Sequence, residues 1–344
     1  MLKRLTLLLA VVSVLALVTL SVKYLQKQWQ LPLNIGQDGY ELVVGSGQTL
    51  RSVVARLEAD GVYSSGWMLS RYGHWTGLDQ QIKRGEYLIP QGTRPIALLR
   101  LLQQGKVISY QVTLPEGITL ARALEILAQN PELEHEIEGL EDAKLAQLTS
   151  PRLTGEGLFF PDSYQFERGA SDWDILQRAH AMMADVLEQE WQERQDGVPY
   201  ANAYETLIMA SIVERETGQP DERDEIAGVF VRRLNKNMRL QTDPTVIYGL
   251  GENFDGNLRR KDLNDAANPY NTYRHKGLPP SPIALPGRAA IHAALHPKDG
   301  ASLYFVARGD GGHYFSETLA EHQQAVRKYQ LQRRQDYRSS PATQ

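Results

Sequence analysis

Cysteine is absent from all 344 residues. That removes disulfides, thiol nucleophiles and cysteine-ligated zinc, so an exported domain would have to hold together through its core alone. A composition of 42% hydrophobic residues permits such a core. A strong excess of positive charge is also missing. The net charge is −4, from 37 basic and 41 acidic residues, so no nucleic-acid partner is expected. No Gly-x-Ser-x-Gly elbow and no phosphate loop occurs.

Long apolar runs are scarce, and the one present is terminal. Leu5 to Val22 carry no charge, with Lys3 and Arg4 before them and Lys23 and Lys27 after. The length is at the short end for a spanning helix. No small-x-small cleavage site precedes Lys23, and no cysteine is available for a lipid, so an uncleaved single-pass anchor is favoured over a signal peptide. The basic tip would stay in the cytoplasm and the remainder of the chain outside it.

An internal echo follows the run. Tyr40-Glu41-Leu42-Val43-Val44-Gly45-Ser46-Gly47-Gln48-Thr49-Leu50 is matched by Tyr110-Gln111-Val112-Thr113-Leu114-Pro115-Glu116-Gly117-Ile118-Thr119-Leu120, with a shorter version at Gly85 to Thr93. Each predicts an alternating strand, a glycine turn, a threonine cap and an amphipathic helix. Such units resemble LysM modules, which bind glycans containing N-acetylglucosamine; a plain α+β spacer fits the pattern equally. Further on, Trp173, Leu176, Ala179, Met183, Leu187 and Trp191 mark a core-facing helix over 171–192. A second helix is expected over 221–237. Glycine- and proline-rich loops then follow, at 248–251, 277–282 and 309–312, with a strand at 303–307. Such loops suit a cleft wall. The tail from Arg333 is polar.

The most informative stretch is Met209-Ala210-Ser211-Ile212-Val213-Glu214-Arg215-Glu216-Thr217. A helix is predicted from Tyr204 to Thr217, stopped by Gly218 and Pro220. Glu216 shares a face with Val213, Ile212 and Met209, whereas Glu214 lies with Ser211, Ala210 and Leu207. Glu216 also occupies the last turn, where free carbonyls disfavour an anion. Both effects raise its pKa and suit a general acid. The plain alternative is a surface glutamate at a frayed helix end.

Five ordered blocks carry a resemblance. They are Glu156-Gly157-Leu158-Phe159-Phe160-Pro161-Asp162-Ser163-Tyr164; Ala210 to Thr217; Arg239-Leu240-Gln241-Thr242-Asp243-Pro244-Thr245-Val246-Ile247-Tyr248-Gly249; Tyr270-Asn271-Thr272-Tyr273 with Gly277-Leu278-Pro279-Pro280; and Leu303 to Ala307 with Gly311-Gly312-His313. In these the chain resembles the YceG-like endolytic murein transglycosylases over nearly its whole length. The resemblance implies an inner-membrane, periplasm-facing enzyme that cuts the β-1,4 bond between N-acetylmuramic acid and N-acetylglucosamine without water. It implies Glu216 as acid and then base, closing the muramic 6-hydroxyl onto the anomeric carbon to leave a 1,6-anhydro end. The implied partners are peptidoglycan glycan strands and the membrane-bound peptidoglycan polymerases and transpeptidases, and no cofactor is expected.

The expected architecture is α+β. A tip and anchor occupy 1–25, a linker and LysM-like domain 26–108, a mixed catalytic domain 109–332 and a tail 333–344. Glu214 is the rival or supporting acid. Gln241, Thr242, Asn271 and Tyr273 are candidate hydrogen-bonding partners of the sugar, and Tyr164 and Tyr248 candidate stacking platforms. Asp243 is a candidate for substrate binding or a second carboxylate, but Asp before Pro244 also predicts a helix cap. His292 and His296 are four apart with no third ligand evident, so no metal is expected. Two other readings stay open: a lysozyme-type hydrolase using Asp243 or Glu214 as second carboxylate, and a non-catalytic glycan-binding scaffold.

Overall fold

The computed structural model describes residues 2–331, with side chains from residue 12 onward. The polar tail expected at 333–344 lies outside the described residues. The chain divides into two units, one of residues 1–110 with 165–169, the other of residues 111–164 with 170–344.

The first unit opens with α1 (Leu2–Gln30), a single helix of 29 residues. Among the described residues no helix is long and apolar enough to cross a membrane. Residues 5–11 of the expected anchor have side chains outside the described set. From Val12 to Val22 the large apolar side chains of α1 are exposed, and their positions spread around the whole helix. Next come β1 (Tyr40–Val44), α2 (Leu50–Ala59), α3 (Gly66–Thr76), β2 (Gly85–Ile89) and α4 (Pro95–Gln104). β1 and β2 pair antiparallel, Tyr40 opposite Ile89 and Val44 opposite Gly85. Alternation along β1 turns Leu42 and Val44 inward, where Leu57, Leu69, Leu98 and Leu102 bury against them.

The local signals of the echo are met at β1–α2. Gly47 takes a positive φ of 74°, and Thr49 caps α2 in a reciprocal box with Ser52. They are met again where β3 (Ser109–Thr113) leads to α5 (Leu120–Ala128), capped by Thr119. The third version departs from expectation. The Thr93 hydroxyl donates to the Pro90 carbonyl at 2.7 Å, and α4 begins one residue later, after Arg94, with Pro95 in its first turn. Proline sets the helix start here, so no side-chain cap forms.

In the second unit α5 is followed by α6 (Ala143–Thr149), then by β4 (Ser163–Glu167), which pairs with β3 and whose residues 165–167 count with the first unit, and then by α7 (Asp172–Gln192). α8 (Ala203–Glu216), α9 (Arg223–Asn235), α10 (Asp243–Leu250), α11 (Arg260–Asn264) and α12 (Arg288–Leu295) come next. The antiparallel hairpin β5 (Tyr304–Ala307) and β6 (His313–Ser316) follows, then α13 (Leu319–Val326) and a helical turn over Arg327–Leu331. With three two-stranded sheets among the described residues, the class is α+β. The core is organised around α8. Every residue from Thr206 to Val213 is buried, walled by Met183 and Val186 of α7, Ile226 and Phe230 of α9, and Ala290, Ile291 and Ala294 of α12. A helix apolar on all sides belongs at the centre of a core.

Candidate active site

Glu216 is the last residue of α8, and the helix ends at Thr217 rather than running on. Its side chain is half-buried. Burial pushes its carboxyl up to about 7, and the nearby Asp243 charge adds to this; the Thr242 hydrogen bond and the Arg233 charge work the other way. The Thr242 hydroxyl donates to Glu216 Oε1. Oε2 is therefore the oxygen left to carry a proton. Arg233 is buried at 6% exposure, fixed by donating to the Leu303 carbonyl at 2.6 Å and to the Leu240 carbonyl at 2.5 Å. It supplies positive charge without forming an ion pair with the glutamate.

Glu214 behaves differently, though not for the reason its spacing suggests. Its face is as deeply buried as that of Glu216, because Leu207, Ala210 and Ser211 are all inaccessible. Its carboxyl is raised by burial as well. The two acids differ in their partners. Glu214 accepts the Gly287 N–H at 3.0 Å, at the start of α12, and lies 3.4 Å from the Arg223 guanidinium. Both oxygens are thus engaged in tying α8 to its neighbours.

The structure brings Gln241, Thr242, Asp243 and Tyr273 together around Glu216. Thr242 is held by its own N–H donating to Thr272 Oγ1 at 3.1 Å. Gln241 is exposed, with a left-handed φ of 53°, a rare conformation for a non-glycine residue and one enriched at functional sites. Asp243 does not cap α10. Thr242 is the N-cap residue, no side-chain cap forms, and the Asp243 carboxylate instead accepts the Tyr273 hydroxyl at 2.6 Å. The reason is local: Asp243 is the first residue of α10 and sits one position past the cap.

Asn271 and Tyr164 stand apart from this group. Asn271 is wholly buried, and its amide N–H groups donate to the carbonyls of Asp262, Leu263 and Asp265 at 3.1, 3.3 and 2.6 Å. It ties the end of α11 to the loop that carries Tyr273. Tyr164 is buried, with its hydroxyl on the Phe160 carbonyl at 2.6 Å. Tyr248 is half-buried, edge-on to Tyr270 at 4.9 Å.

A second titratable carboxyl was legible only as part of a motif. Glu156, 5% exposed, accepts the Leu120 N–H at 2.9 Å and the Tyr248 hydroxyl at 3.2 Å. Burial raises it to about 7. It lines a cavity of about 890 Å³ whose wall includes Arg152, Arg215, Pro244, Ile247 and Tyr248. Glu216 is not itself on that wall. Its chain neighbour Arg215 is, and the cavity follows α10, at whose start Glu216 is held. The sequence signal for Glu156 was a lone acid before Gly157 and the apolar run Leu158 to Phe160.

His292 and His296 do have a third candidate ligand. Glu190 of α7 places its carboxylate within 4.8 Å of ligand atoms on both imidazoles, which corrects the expectation that none would be near. The pairing came from a residue 102 positions away, beyond any local spacing. The Glu190 charge is met by Arg288 at 3.0 Å and by His292 Nδ1 at 2.9 Å.

The sequence model of the YceG-like family matches residues 42–328. An endolytic murein transglycosylase of Bacillus subtilis (strain 168) is 31% identical over 305 residues, 83% of each chain. One from Streptococcus pneumoniae serotype 2 (strain D39) is 26% identical over 333 residues, 87% of this chain but 60% of that longer protein. The crystal structure of a YceG-like protein from Listeria monocytogenes superposes with a TM-score of 0.52 at 28% identity, covering 84% of this chain and 99% of that one. With the five blocks, the half-buried glutamate closing α8 and a family match that runs from β1 into the last described helical turns, the chain belongs to the YceG-like family.

Proposed function

We propose that this chain is a lytic transglycosylase that cleaves murein glycan strands internally, with Glu216 as its acid and base. The observation that carries the proposal is the environment of Glu216: a carboxyl raised to about 7, one oxygen held by Thr242 and the other left for a proton. Neutral Glu216 donates that proton to the glycosidic oxygen as the bond to the anomeric carbon breaks. The resulting carboxylate is steadied by the Thr242 hydroxyl and the Arg233 charge. It then takes the proton of the muramic 6-hydroxyl, whose oxygen bonds to the anomeric carbon and closes the 1,6-anhydro ring. One carboxyl serves both steps because a pKa near the working pH makes each protonation state accessible. Gln241, Asp243 and Tyr273 border the acid and are the groups within reach of sugar hydroxyls.

Residues 5–22 are read as an inner-membrane anchor, with the rest of the chain in the periplasm. An uncharged run of 18 residues between basic flanks supports this, as do the outward apolar side chains of α1. Cutting strands near the membrane would limit their length beside the polymerases that extend them. The first unit is read as a LysM-like glycan-binding module.

A hydrolytic reading has one observation in its favour, the closeness of the Asp243 charge to Glu216. The product end separates the two. Purified sacculi are incubated with the full chain in detergent, wild type beside Glu216→Gln, and released muropeptides are read by mass spectrometry. Anhydro ends from the wild type and none from the variant are expected. Reducing ends would establish the hydrolase, and bound protein with no products the scaffold.

A further inference from the structure

The outer face of α3 is unusual for a helix in a small unit. Trp67 is 63% exposed and Trp75 84%, although tryptophan is a residue that folding normally covers. At 100° per residue, Trp67, Arg71, His74 and Trp75 fall on one side, opposite the buried Gly66, Leu69 and Gly73. The helix cannot roll to hide them. A Cβ on Gly66 would lie 2.2 Å from Val54, and one on Gly73 2.2 Å from Leu50, so these glycines seat α3 flush on α2. The tryptophans are therefore presented outward by a fixed support.

α3 is also docked on the end of α1. The Ser65 hydroxyl donates to Gln28 at 3.2 Å, and Trp29 packs edge-on against Tyr72 with ring centroids 5.2 Å apart. Adjacent residues of α1 thus meet positions seven apart, roughly 10 Å, along α3. The two helices cross; they do not run side by side. Trp29 stands seven residues, again roughly 10 Å, beyond Val22, and a helix with its side chains is about 10 Å across, so the surface of α3 reaches the level of a headgroup layer about 5–7 Å thick. The chemistry of the face matches that level. α3 contains no acidic residue, Arg71 on α3 and Lys23 and Lys27 on α1 are exposed, and indole rings favour the boundary between headgroups and chains. Among the described residues, the one carboxylate that meets this face, Asp79, is paired with His74 at 3.1 Å.

We infer that the face of α3 bearing Trp67, Arg71 and Trp75 is a membrane-contact surface that lies in the anionic headgroup layer of the bilayer. The inference rests on the reading of residues 5–22 as an anchor. It gives α3 the role of an in-plane float that fixes the tilt of the first unit against the membrane.

The test uses the full chain reconstituted in vesicles of phosphatidylethanolamine and phosphatidylglycerol whose acyl chains are brominated close to the glycerol. Wild type is compared with the Trp67→Phe/Trp75→Phe variant, which changes only exposed positions and leaves the core intact. The emission difference between them isolates the two indoles. It is expected to lose about half its intensity in brominated vesicles relative to unbrominated ones, and an Arg71→Glu variant should recover part of that loss. An unchanged difference emission in a chain that floats with the vesicles would overturn the membrane face alone. A difference emission indifferent to bromine but shifted by soluble glycan strands would overturn it in favour of a sugar-binding face. A chain that fails to float after an alkaline wash would remove the anchor, and the inference with it.

Discussion

Two glutamates separated by one residue on α8 have different fates, and the cause is their partners and not their spacing. If Glu216 must be protonated to start the reaction, activity falls as pH rises through about 7. Stability follows the same sign. A carboxyl raised in the folded state binds its proton more tightly there than in the unfolded chain, so its contribution is lost as pH climbs from the ordinary carboxylate range through the folded value. Glu216→Gln should therefore unfold at a higher temperature than wild type at pH 8, by about 1–2 kcal/mol after allowing for partial exposure. At pH 4 the two should coincide. Thr242→Val removes the donor to the carboxylate and should move the alkaline limb of the pH–rate profile up by about one unit. Glu156 also titrates near 7, and Glu156→Gln serves as the control: the limb should survive there and vanish as a feature only with Glu216. Glu214→Gln gives up the Arg223 partner in a buried setting and should cost about 1–3 kcal/mol in thermal unfolding while retaining measurable turnover. The sequence singled out Glu216 as the candidate acid, but the face argument for that choice was not sound. Both faces of α8 are buried, and what separates the acids lies 26 and 73 residues downstream.

At the level of elements, sequence reading succeeded where local rules decide. The stripe on α7 is set by helical period, and Leu176, Ala179 and Met183 are buried as spaced. Ser171 opens that helix with a capping box that any tertiary context would tolerate. Reading failed where a side chain had a better offer elsewhere. Thr93 turned to Pro90, and Asp243 to Tyr273, so neither caps its helix. Glycine in α3 gives a test of packing against propensity. Gly73→Ala would gain about 1 kcal/mol of helix propensity, yet its Cβ would meet Leu50 at 2.2 Å, and overpacking of this kind costs about 1–3 kcal/mol. Packing should win, and thermal unfolding of the variant should show a net loss.

Across the whole molecule, periodicity and the echo pointed to a small N-terminal unit and a larger one after it. They could not reveal that residues 165–169 return to the first unit, because that return depends on partners distant in sequence. Glu86, 3% exposed on β2, receives the Arg168 guanidinium at 2.7 Å and the Tyr110 hydroxyl at 2.5 Å. Those bonds hold its carboxyl below the ordinary carboxylate range despite burial. The segment bearing Arg168 follows residues 111–164, which belong to the other unit. During synthesis, then, most of the first unit is made well before Arg168 is. A nascent chain halted near residue 110 would hold a carboxylate in its interior with its guanidinium not yet made, a costly arrangement. Such a chain should be digested by protease at a stage when one halted past residue 170 resists. The order in which the ribosome delivers the pieces is thereby written into the fold: the unit that begins first must wait for the opening stretch of the second, residues 111–164, before it can close.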